Sequence, residues 1–147
     1  MIIKTYARLF VHSLDDALPF LETLVGRPAD LRFWSDDPRL LHSIIGDSTE
    51  PLSGSAEVEQ AAIGDFLVIA GDEEALDLAR KAAGPVIVDD LQKTTEELTK
   101  AGAVVIVPST IVETGMFNYL RHPDGALVEY VEWKPDLVSR IIGRIAL

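Results

Sequence analysis

The residue types that could do chemistry are few in this chain. There are three histidines, His12, His42 and His122, three adjacent aspartate pairs, Asp15-Asp16, Asp36-Asp37 and Asp89-Asp90, and no cysteine. Without a thiol there is no disulfide, no thiolate-bound zinc or iron–sulfur cluster and no cysteine nucleophile. The aspartate pairs look like acid/base dyads on paper. Adjacent residues on a strand point to opposite faces, however, and two of the pairs stand where helices begin, where a carboxylate suits the helix dipole. Capping and turn formation account for them. No Ser-His-Asp order, phosphate-binding glycine loop or dinucleotide motif occurs, and Gly54-Ser55 lacks the rest of a nucleophile elbow. Among the histidines only His42, between Leu40 and Ile44, falls inside a strand-like apolar run, while His12 lies at a strand end and His122 in a turn. Trp34 shares a strand face with Arg32 and offers a flat surface on which an aromatic or cationic ligand can stack.

The frame that must position these residues is a single domain. The chain has 147 residues, 48% of them hydrophobic, which is enough for an ordinary core. With 24 acidic and 13 basic side chains the net charge is −11, which repels phosphate backbones and excludes nucleic acid as a partner. No run reaches the roughly 18 apolar residues of a membrane span. Lys4 and Arg8 interrupt the opening MIIKTYARLF, so it does not read as a signal peptide. A soluble, cytoplasmic protein is expected.

From Ile2 to His12 the residues Thr5, Ala7, Leu9 and Val11 alternate with Lys4, Tyr6, Arg8 and Phe10, the period of one two-faced strand. Ser13 caps an amphipathic helix over 14–25 that Gly26 closes. Two short strands follow, Leu31 to Trp34 and Leu40 to Ile45, then a loop over 47–60 and a buried strand over 61–70. A helix is expected at 73–82, acidic at its start and basic at its end. The second half repeats the order: a strand at 85–88, a helix capped by Asp89 or Asp90 and ending before Gly102, and strands at 104–107, 112–121 and 126–133. Leu137, Val138, Ile141, Ile142 and Ile145 form one stripe of a C-terminal helix over 135–146, an apolar face that must be covered by the domain or by a partner subunit.

Val11 and Val88, Leu14 and Leu91, and Leu21 and Leu98 all stand 77 positions apart, and a glycine closes each helix. The economical description is a duplicated β-α-β-β-β unit. Module 1 spans about 1–71 and module 2 about 84–133, with the 73–82 helix linking them.

Three segments then carry a resemblance. ARLFVHSLDDALPFLETLVG is similar to the opening strand and helix of the vicinal oxygen chelate superfamily, which includes glyoxalases, bleomycin-resistance proteins and extradiol dioxygenases. VDDLQKTTEELTKAGA and RHPDGALVEYVEW resemble the strand, helix and terminal hairpin of its second module, with His122-Pro123-Asp124-Gly125 in place of the usual Asp-Pro-Asp-Gly turn. The resemblance implies an α+β fold of two βαβββ modules with curved mixed sheets, helices on the convex sides, and a cavity enclosed by the concave sides.

It also implies where a divalent ion would be held in metal-using members. Those positions fall on Tyr6, near Ala83, on the Phe66 to Ile69 strand and on Glu129, so Glu129 is the only retained ligand position. No metal or other cofactor is expected, in the manner of the metal-free bleomycin-resistance branch. The implied cavity residues are Tyr6, Arg8, Phe10, Trp34, His42 and Glu129, with Arg8 and Glu129 a natural pair and the 47–60 loop a lid. Glu129 favours a small-molecule ligand with positive charge or hydrogen-bond donors. The alternative is a divalent-metal lyase, isomerase or dioxygenase using an atypical set such as His42 and Glu129. The resemblance further implies a homodimer. No catalytic residue is assigned, and whether a reaction is catalysed stays open.

Overall fold

The structure, a computed structural model, describes residues 1–35 and 58–143. The opening segment is two strands, β1 (Ile2–Thr5) and β2 (Ala7–Val11), and they belong to different sheets. This corrects the expectation of one continuous strand. The period-two alternation runs on unbroken through Tyr6, with no glycine or proline to mark the change. The backbone shows it: Tyr6 N–H donates to the Pro85 carbonyl, whereas Ala7 N–H donates to the Asp65 carbonyl.

The chain forms two compact units, one of Ala7–Lys81 and one that joins Met1–Tyr6 to Ala82–Leu147. The module boundary therefore lies at Ala7, and the first residues complete the second module's sheet.

In the Ala7–Lys81 unit, β2 leads into α1 (Leu14–Val25), followed by β3 (Leu31–Ser35), β4 (Val58–Ile63), β5 (Phe66–Ala70) and α2 (Glu73–Ala79). The sheet order is β2-β5-β4-β3, with β2 parallel to β5 and the other pairs antiparallel. Ser13 caps α1, its hydroxyl accepting from Asp16 N–H, and Gly26 ends it in the left-handed region at φ 87°. Leu14, Leu18 and Leu21 then pack on Ala61, Ile63, Val68 and Ala70. Two expectations change here. Residues 61–70 are not one strand but part of a hairpin, turned at Gly64-Asp65, and its first strand takes in Val58 to Gln60, which the sequence reading assigns to the loop. The apolar content of AAIGDFLVIA hid a Gly-Asp turn signal. The strand expected at 40–45 and the rest of the 47–60 loop lie outside the described residues.

In the second unit β6 (Ala83–Val88) leads into α3 (Leu91–Lys100), then β7 (Val104–Val112), β8 (Gly115–Arg121) and β9 (Leu127–Trp133). A short helix α4 (Pro135–Leu137) continues as a π-helical turn over Val138–Ile142. The order β6-β9-β8-β7 repeats that of the first module, with β1 added antiparallel beside β6. Asp90 is the cap of α3, and its carboxylate accepts from Lys93 N–H. Val86, Val88, Leu91, Leu120, Val128 and Tyr130 make the core under α3. β7 runs through Pro108, past the end expected at 107. A proline is tolerated there because β7 is a sheet edge, and the register shifts across it between Val107 and Thr110. On the terminal stripe Ile141 is fully buried, so part of it is covered within the chain itself.

Both units have helix and strands in one repeated order, each built on a curved mixed sheet, as the α+β expectation required.

Candidate functional site

Each sheet has one face under its helix and one facing away from it. Period two along the strands, together with the register of the paired strands, assigns every strand side chain to one of these faces.

In the second unit the helix-covered face takes Val86, Val88, Val128, Tyr130 and Leu120. The opposite face therefore takes Ile87, Glu129, Val131, Trp133, Phe117 and Tyr119 from the alternate positions, and Lys4 from its pairing opposite Ile87. Sequence parity left open which side of β8 faces away from the helix; Phe117, Tyr119 and Arg121 do, while Met116, Asn118 and Leu120 lie under α3. Asn118 donates to the Thr95 hydroxyl of that helix at 2.8 Å.

Glu129 stands opposite Tyr119 on one side and the Gly84-Pro85 bulge of β6 on the other. Gly84 is required there. At φ 99° it lies where side chains are disfavoured, and a Cβ would sit 2.7 Å from the Glu129 carbonyl oxygen. Tyr6 lies beside the same bulge through its bond to Pro85, with its ring 5.9 Å from that of Trp133. The Lys4 ammonium sits 4.8 Å over the Tyr6 ring, a cation–π contact. Exposure is low throughout: 3% for Tyr6, 5% for Glu129 and 8% for Lys4. Lys4 and Trp133 were not among the expected site residues. The signal for Lys4 was present, since it alternates in phase with Tyr6.

In the Ala7–Lys81 unit Arg8 and Phe10 face away from α1, beside Leu67 and Ile69. The end of α2 closes on them. The Arg8 guanidinium donates to the Ala79 carbonyl at 2.8 Å, a cation placed at a helix C-terminus, and Arg80 lies 5.0 Å from the Phe10 ring centre. Trp34 does not join them. It shares the α1 side with Arg32, whose guanidinium bridges Glu59 and Asp15, and it is 64% exposed. The resemblance had placed Trp34 with Arg8 and Phe10; the register of β3 on β4 puts it on the other face. His42 lies outside the described residues.

The structure thus brings together Tyr6 and Glu129 on one sheet face, and Arg8 and Phe10 on another. A divalent ion needs several nitrogen or oxygen donors converging on one point. The implied ligand positions carry a phenol at Tyr6, a methyl at Ala83, the apolar strand β5 and the carboxylate of Glu129. Among the described residues no group of three or more His, Cys, Asp and Glu could hold a metal. His12 pairs instead with Glu73 at the surface, and the ring of His122 shares a 2.6 Å hydrogen bond with the Tyr130 hydroxyl. This donor set does not fit a divalent ion.

The repeated β-α-β-β-β order defines a glyoxalase/bleomycin-resistance-like fold. An uncharacterized protein from Methanosarcina mazei is 34% identical to this chain, over 91% of this chain and 94% of its own, with a TM-score of 0.71. Methylmalonyl-CoA epimerase from Mycobacterium tuberculosis shares the fold at 16% identity, over 94% of this chain and 93% of its own, with a TM-score of 0.63. A Streptomyces coelicolor methylmalonyl-CoA epimerase in complex with 2-nitronate-propionyl-CoA does so at 14% identity, over 88% and 93%, with a TM-score of 0.58. No protein-family model and no curated protein sequence matches the chain. The chain belongs to one family with the Methanosarcina mazei protein, and its fold is that of the vicinal oxygen chelate superfamily.

Proposed function

We propose that the protein binds a small organic molecule without a divalent metal, on the sheet face that carries Tyr6 and Glu129. One observation carries this reading: of the positions where the superfamily's metal ligands would fall, only Glu129 offers a carboxylate or an imidazole. A buried carboxylate paired across the sheet with Tyr119, on the face that also carries Trp133, suits a planar ligand that presents a hydrogen-bond donor. Metal analysis of protein purified without chelator tests it. The expected result is far less than one metal per chain and no rise in Tm on adding zinc, nickel, manganese or cobalt. Stoichiometric metal overturns the reading.

A second reading is favoured by the fold shared with methylmalonyl-CoA epimerases: an isomerase, lyase or dioxygenase that holds its ion through an atypical set such as His42 and Glu129. His42→Ala separates the two, because it lowers metal content only under the second reading.

The proposal takes the protein to be cytoplasmic and homodimeric. Support for association is the exposed pair Phe20 and Leu24, one turn apart on α1, an apolar strip on a strongly acidic chain. No described helix is long and apolar enough to cross a membrane.

A further inference from the structure

We infer that the outer edge of β7 is a docking surface for a second copy of this chain, the two β7 strands pairing antiparallel about a twofold axis at Pro108. The inference rests on the homodimer proposed above and names the surface that joins its copies. Strand edges are normally kept from pairing by charged side chains or by shortness. The other sheet edges follow this rule: β1 has four residues with Lys4, β2 five with Arg8 and β3 five with Arg32. β7 breaks it, with nine residues and no charged side chain, on a chain of net charge −11.

The edge is complementary to itself. Val105 and Ile111 are 41% and 83% exposed, and their pairing opposite Leu120 and Met116 places both on the α3 side of the sheet. An axis at Pro108 sets Val105 opposite Ile111 of the second copy, and the reverse, so the two exposed side chains cover each other twice. Val104 and Val112, opposite Arg121 and Gly115 on the other face, meet in the same way. The ends carry opposite charge: Lys100 and Arg121 flank the start of β7, and Glu113 follows its end. Antiparallel pairing brings each start beside the other copy's end, where Glu113 of one copy lies near Arg121 of the other, while a foreign strand of uniform charge meets like charge at one end. Pro108 has no N–H, and its carbonyl already accepts from the Thr110 hydroxyl at 2.9 Å, so the pair on the axis exchanges no hydrogen bond and the ladder runs on either side of it. One twofold contact uses the whole strand, which closes the assembly at two copies.

Sedimentation and cross-linking of the full chain test this. Ile111→Lys is expected to fold, because Ile111 is exposed, and to raise the dimer Kd about a hundredfold, about tenfold at each of the two symmetric contacts. Phe20→Glu is expected to leave the Kd within about twofold. Glu113→Arg is expected to weaken the dimer, and Arg121→Glu in the same chain to restore it. Cross-linking reads the register, because the chain has no cysteine of its own. Val105→Cys mixed with Ile111→Cys is expected to give a disulfide-linked dimer under mild oxidation, since opposite residues lie within disulfide reach. Either variant alone is expected to give almost none, its two thiols being about 20 Å apart along the strands. A dimer that Phe20→Glu dissociates and Ile111→Lys does not, or single variants that cross-link as well as the mixture, overturns the β7 surface and leaves the homodimer standing. Assembly beyond two copies overturns the twofold pairing. An unaltered chain that stays monomeric at every concentration removes the homodimer and the inference together.

Discussion

The two modules are built to one plan, yet their faces have diverged unequally. Beneath the helices the correspondence is close: Leu14 and Leu91 open the two helices 77 positions apart, and both are fully buried. On the faces turned away from the helices it fails. The parallel pairings Phe10–Ile69 and Ile87–Val131 set the last strands of the modules 62 positions apart, so Glu129 corresponds to Leu67, and the Gly84-Pro85 bulge to Ala7 and Arg8. A helix-covered core tolerates little change because every side chain there must fill a fixed volume. The other face is not held to that volume and has been free to vary. The first module keeps Arg8 and Phe10 there beside Leu67 and Ile69, with no carboxylate on β5, and the second has gathered Lys4, Tyr6, Glu129 and Trp133.

The sharpest way to break this comparison is to force the second module's charge into the first. Leu67→Lys buries an ammonium beside the Arg8 guanidinium, which repels it, and should cost roughly 3–5 kcal/mol in denaturant unfolding. A loss below about 1 kcal/mol means the first module's face is as permissive as the second's. Gly84→Ala should cost about 3 kcal/mol, because the Cβ meets the Glu129 carbonyl at a positive φ, whereas Ala7→Gly at the matching position should cost less than about 1 kcal/mol. Equal costs would show that the bulge beside Glu129 is not a special feature of the second module.

A smaller effect distinguishes the cores. Tyr130 corresponds to Val68, and burial pushes its phenol pKa up from the unfolded value of 10.0. Its contribution is therefore complete below pH 10 and is lost as pH rises through the higher folded value. Tyr130→Phe should remove that alkaline loss while costing about 1 kcal/mol at neutral pH through the broken bond to His122. Stability measured from pH 8 to 11 checks the sign; an unchanged alkaline slope in Tyr130→Phe would refute it. Smallest of all, Phe20→Glu copies the residue at position 97 of α3 and should change unfolding stability by no more than about 0.5 kcal/mol, because Phe20 is exposed. Sedimentation should then show weaker self-association if α1 carries the homodimer contact.

Much of this organisation was legible in the residues. The helices at 14–25 and 91–100 announce themselves through Ser13 and Asp90, through glycines beyond their ends and through leucines at helical spacing, all of which act within a few residues. The duplication follows from the same local signals recurring at a fixed offset. The candidate site was legible only in part. Glu129 came from its place after the His-Pro-Asp-Gly turn, and Tyr6 from counting back from the first helix. Lys4 carries no such mark, and nothing along the chain separates Trp34 from Arg8 and Phe10, because parity tells which residues share a face without telling which face the helix covers.

By itself the sequence determined element types, caps, the repeat and the absence of any thiol, since each depends on local propensity or on which residues are present at all. The tertiary structure alone decided that the first strand divides at Tyr6 between two sheets, that residues 58–70 turn back on themselves, and that Lys4 and Glu129 share a face. Those outcomes depend on which strands pair and in what register. Pairing is fixed by contacts between residues far apart in the chain, and alternation along a single strand carries no record of its partner.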